Sequence, residues 1–145
     1  MNTAIKTFAL AALMGVAAPA SADSFFDGTR PLLCSVHQLF ECDAPEACFK
    51  VTPEQIGAFS HLDIDFKNKL ITRAGEESQQ KTTIDSVEAG LDGKLIMSGI
   101  EDGQADVRDG AGWTISIMDP EGTMVMAVAG DGFAVVGLGA CVPKP

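Results

Sequence analysis

Apolar and polar residues alternate in steps of two along most of this chain, and that period restricts it to β-structure. In the segment that starts at His61, the side chains of Leu62, Ile64 and Phe66 fall on one side and those of His61, Asp63 and Asp65 on the other, as a half-buried strand requires. Trp113, Ile115 and Ile117 oppose Thr114, Ser116 and Met118 in the same way. Residues 48–51, 70–73, 81–88, 95–100, 123–129 and 133–140 have strand composition, and turn-forming residues separate them. Among these separators Asp92-Gly93 is a hairpin signal, Asp119-Pro120-Glu121-Gly122 has the proline and glycine positions of a type I turn, and Gly130-Asp131-Gly132 divides the last two runs. No helix alternates with the strands and no internal repeat is present. The expected fold is therefore all-β: an antiparallel meander forming a small barrel or sandwich.

Two regions depart from simple alternation. Residues 32–40 place Leu32, Leu33, Val36, Leu39 and Phe40 at i, i+1, i+4, i+7 and i+8, a spacing that suits one face of a short helix, with a strand as the competing assignment. In residues 123–129 and 133–140 both faces are apolar: Met124, Met126 and Val128 against Val125, Ala127 and Ala129, then Phe133 and Val135 against Val136 and Leu138. One face makes the core. The other needs a cover, a ligand or a subunit contact, because a contiguous exposed apolar patch is unusual on a soluble monomer. The expected cover is the 32–40 segment, laid over that second face as a lid.

The first 22 residues read as a secretory signal, with Lys6 in the leading region, an apolar stretch over 8–18 and the small-residue end Ala20-Ser21-Ala22. Gly15 and Pro19 interrupt the apolar run, which falls short of the roughly 20 residues a bilayer span needs. Cleavage after Ala22 would leave a periplasmic or secreted protein with no membrane segment, a loose N-terminus over 23–31 and one domain over 32–145. The 20 acidic residues against 10 basic ones give a net charge of −10, and loss of Lys6 takes it to −11. Such a chain repels phosphate backbones and anionic membranes, so nucleic acid is not an expected partner.

Cys34, Cys42, Cys48 and Cys141 follow the leader, and an even count in an exported chain reads as two disulfides with three possible pairings. The favoured pairing is Cys42 with Cys48 across a short turn and Cys34 with Cys141 joining the start of the domain to its end. A zinc site built from Cys34, His37, Cys42 and Cys48 lacks the paired C-x2-C spacing, and no C-x-x-C redox pair exists.

Chemistry-bearing residues are sparse. His61, Asp63 and Asp65 share one strand face at steps of about 6.5 to 7 Å, close enough to hold a cation or to act as an acid/base pair; the simpler reading is an outward, solvated face. The acidic, glycine-rich segment 101–112 carries Glu101, Asp102, Asp106 and Asp109, but its spacing does not match a calcium-binding loop. Met97, Met118, Met124 and Met126 offer soft sulfur for copper, although methionine more commonly fills cores. Trp113 is expected to anchor the core. No nucleophile elbow, dinucleotide loop or P-loop is present, and a Ser/His/Asp hydrolase would depend on His37 or His61. No cofactor is implied.

The early Cys34, the Cys42 and Cys48 pair, the strand from Leu62 to Phe66 and the closing run from Phe133 to Cys141 resemble those of small exported bacterial β-proteins of unassigned function. That resemblance implies an oxidising compartment and a disulfide-bearing β domain. The architecture is also similar to lipocalin-like and inhibitor-type periplasmic barrels, an analogy of fold alone. The expected function is noncatalytic binding or inhibition of a protein or small apolar ligand, through the barrel mouth or the acidic 101–112 segment. The alternative is a periplasmic metal-binding protein or hydrolase using His61, Asp63 and Asp65.

Overall fold

A computed structural model describes residues 24–44, 46–75, 81–90, 92–101 and 110–145. The expected leader lies outside the described residues, as do Asp102, Asp106 and Asp109 of the acidic segment.

The chain forms β1 (Leu32–Asp43), β2 (Cys48–Val51), β3 (His61–Asp65), β4 (Leu70–Arg73), β5 (Lys81–Thr83), β6 (Ser86–Ala89), β7 (Lys94–Ile100), β8 (Gly112–Met118), β9 (Thr123–Ala129) and β10 (Phe133–Pro143). These make one antiparallel sheet in the order β5-β4-β3-β1-β10-β9-β8-β7-β6, with β2 pairing the far half of β1. Among the described residues no helix longer than the single 3-10 turn Pro53–Gln55 occurs, and none is long and apolar enough to cross a membrane.

The sheet curls into a half-barrel. Its two edge strands, β5 and β6, are separated in the chain by Ile84 and Asp85 alone. Ile84 N–H donates to Lys69 O at 2.9 Å and Asp85 N–H to Ser98 O at 2.9 Å, so the chain hands over from the β4 edge to the β7 edge within two residues. The single strand expected over 81–88 is thus two strands with different neighbours. Composition carries no signal for that change of partner.

Inward side chains close the interior. Leu32, Ile64, Ile84, Leu95, Met97, Ile117 and Met124 are fully buried, Trp113 and Ile115 nearly so, and Val36, Phe59, Phe66, Val87, Met126 and Val128 pack against them. Burying that much apolar surface at about 25 cal/mol per Å² is the main force holding the curl. An apolar interior is the reverse of the polar lumen of a membrane-spanning barrel.

The helix expected over 32–40 is a strand. The cause is a β-bulge between Val36 and Gln38, where His37 has no partner on β10. Leu32, Cys34 and Val36 point inward at steps of two, and the extra residue resets the phase so that Leu39 points inward as well. An alternating strand with one inserted residue thus reproduces the apolar spacing of a helix. Because β1 lies beside β10 in the same sheet, it is not a lid, and the described residues leave the outer face of β9 and β10 open. Val125 and Leu138 there are 45% and 40% exposed.

Small residues in β10 permit this packing. A Cβ on Gly139 would overlap the Ser35 carbonyl oxygen across the sheet and crowd the Met124 methyl inside it. Residues 24–31 contribute as well, contrary to the expectation of a loose terminus. Phe26 is 5% exposed and belongs to the core, and Lys144 N–H donates to Pro31 O at 2.8 Å, tying the two ends of the domain together. The turn after β8 is one residue wider than a type I turn: Gly122 N–H donates to Met118 O at 2.8 Å, and the Asp119-Pro120 bond is cis.

Candidate functional site

Strand direction decides which connections share an end of the half-barrel. β1 and β9 finish at the end where β2 and β10 begin, so the turns after Asp43 and after Ala129 meet there. Ala44 N–H donates to Gly132 O at 2.9 Å and joins the two turns. Between them lies an open hollow of about 520 Å³, lined by Asp43, Glu46 and Phe133 with the backbone of Gly130 and Gly132. The Phe133 ring, 38% exposed, lies on Gly130, where a Cβ would collide with it. Asp131 projects from the same turn, and Asp43, Glu46 and Asp131 are all exposed. β7 and β8 also connect at this end: Gly110 N–H donates to Glu101 O at 3.0 Å, closing the base of the acidic segment. The end therefore presents carboxylates around one aromatic ring, an arrangement that suits a cationic side chain with an aliphatic stem.

The Cys42–Cys48 disulfide clamps this rim and the Cys34–Cys141 disulfide lies in the core, the same pairs favoured from the sequence. All four sulfurs are committed, so the zinc arrangement with His37 is not formed. Two disulfides fit an oxidising environment.

His61, Asp63 and Asp65 point outward from β3, between the buried Leu62 and Ile64. Each is engaged separately. His61 Nδ1 lies 3.2 Å from Ser60 Oγ, Asp63 pairs with the Lys144 ammonium, and Asp65 accepts from the Asn68 backbone at 3.0 Å and from its amide at 2.7 Å. The Asn68 backbone and amide donors hold the Asp65 carboxyl below the usual aspartate range. Among the described residues no group of three or more His, Cys, Asp or Glu is placed to share a metal ion. The four methionines do not share one face: Met97 and Met124 are buried and Met126 packs against the core, whereas Met118 is 36% exposed on the opposite face.

Asp43, Glu46 and Phe133 were not singled out as a site by sequence reasoning. Both turns are legible as turns, but their meeting depends on β1 pairing with β10, strands from opposite ends of the domain. No family model, curated protein or solved structure matches the chain.

Proposed function

We propose that this chain is an exported, noncatalytic binding module that engages a basic protein through the acidic end of its half-barrel. The observation that carries this reading is the filled interior: Leu32, Ile64, Leu95, Met97, Ile117 and Met124 occupy the space in which a lipocalin-like barrel would hold an apolar ligand. Recognition then falls to the outside, and the described rim offers Asp43 and Glu46 beside the exposed Phe133, Asp131 on the adjoining turn and Glu101 at the same end of the sheet. An inhibitor of a basic secreted enzyme is one concrete form. The leader-like residues 1–22 and the two disulfides support a periplasmic or secreted location.

The test uses a peptide of ten arginines as probe and two triple variants of equal charge change. Neutralising Asp43, Glu46 and Asp131 to their amides is expected to weaken binding at least several-fold more than neutralising Glu54, Glu88 and Glu121, and added salt should weaken the wild-type complex. Equal losses in the two variants, or binding that stays flat from about 50 to 500 mM salt, would overturn the reading.

A further inference from the structure

Three consecutive strands of this acidic protein contain no ionisable side chain. β8, β9 and β10 read GWTISIM, TMVMAVA and FAVVGLGACVP, with no Asp, Glu, Lys, Arg or His among them, while the whole chain carries 20 acidic residues. They are neighbours in the sheet, so their outward side chains form one continuous surface. Register places Leu138 beside Val125, Val125 beside Ser116 and Ser116 beside Ile96 in a single row across it. Val125 is 45% exposed, Leu138 40% and Ile96 39%. Val136, Ala127 and Thr114 form the row on one side, and Ala140, Thr123 and the exposed Met118 the row on the other.

We propose that this face binds a second copy of the same chain. Two arguments select that occupant. The first is charge: two molecules of net charge −10 repel wherever their acidic surfaces meet, and this face lets them touch with no buried charge on either side. A basic partner would gain nothing here and is drawn to the carboxylates instead. The second is size. The four strands crossed by that row, over the seven residues along which β9 pairs with its neighbours, span about 19 Å by 24 Å, on the order of 450 Å² per copy from strand spacing and rise. That lies below the roughly 800 Å² per partner of a standard interface and above the less than about 400 Å² of incidental contacts. It suits a reversible dimer. A two-fold axis lying in the face through Val125 makes the patch its own complement.

The charge argument fixes the sign of the salt effect. Salt screens repulsion between two acidic copies, so dimerisation strengthens with ionic strength, the opposite of binding to a basic protein. Sedimentation equilibrium over about 5 to 200 µM chain, a range suited to a modest interface, is expected to show a monomer–dimer equilibrium that tightens several-fold between low and high salt. Val125→Arg and Leu138→Arg should each give a monomer throughout. Both positions are exposed, and an unchanged near-ultraviolet signal from Trp113 would show that the fold is retained. A wild-type protein that is monomeric over the whole range at high salt, a dimer that survives both substitutions in folded protein, or a dimer that dissociates as salt is added would overturn the proposal. None of these outcomes touches the acidic rim, which is tested by its own variants.

Discussion

Cys34 and Cys141 are direct partners across β1 and β10, so their disulfide staples two neighbouring strands of one sheet, with both residues buried in the core. The bond joins residues 107 apart, whereas Cys42–Cys48 spans a separation of 6. In the loop-entropy account the long bridge is worth about 4.7 kcal/mol and the short one about 2.4 kcal/mol. Replacing Cys34 and Cys141 together by Ala is therefore expected to lower the urea midpoint by more than replacing Cys42 and Cys48. The reverse order would show that β1 and β10 stay together in the unfolded chain.

Phe26 lies ahead of the first strand yet is 5% exposed among core residues. Phe26→Ala is expected to cost about 3 kcal/mol, the lower end for a buried Phe because a terminal segment can relax into part of the cavity. Urea denaturation checks this. A cost below about 0.5 kcal/mol would place Phe26 outside the cooperative unit.

Gly139→Ala puts a methyl where the Ser35 carbonyl and the Met124 side chain already are. β1 must shift beside its own bulge, and a loss of about 2 kcal/mol or more is expected by thermal or urea unfolding. Ala at Gly112, an outward position with open space, should be close to neutral.

That glycine also marks the limit of what the sequence conveys. Alternation from Leu62 to Ile64 and from Trp113 to Ile117 is read correctly because a regular strand in a half-barrel has one wet and one dry side. It fails at residues 32–40, where the unpaired His37 adds a residue and the inward set Leu32, Cys34, Val36 and Leu39 no longer steps by two. It also fails over 81–88, because Thr83 and Ser86, similar in composition, lie on the two opposite edge strands of the sheet and pair with β4 and β7 respectively. Candidate sites fare differently. His61, Asp63 and Asp65 do share an outward face, but the partners that occupy Asp63 and Asp65 come from the chain end and the next turn. The rim is assembled by long-range pairing and has no local signature.

Acid titration should report two of the aspartates. Donors from Asn68 hold Asp65 low, and the Thr29 hydroxyl followed by the Thr29 backbone does the same for Asp27. A carboxyl whose folded pKa is depressed adds stability that is present above its unfolded value, near 3.9, and is lost as pH falls through the folded value. Stability is therefore expected to be level in these groups above about pH 5 and to decline below pH 4. Asp65→Asn should flatten part of that decline. Both groups face solvent, so the effect is small. An Asp65→Asn profile parallel to wild type down to about pH 2 would contradict the assignment.

The packed interior is the premise on which recognition is placed outside the half-barrel, and Trp113, the sole tryptophan, sits within it as a probe. The direct measurement is Trp113 emission during titration of Val125→Arg protein, whose outer face is then charged, with the apolar fluorophore N-phenyl-1-naphthylamine. Unchanged emission is the predicted result. Saturable quenching at one fluorophore per chain would mean that the interior opens to apolar ligands, and would contradict the account.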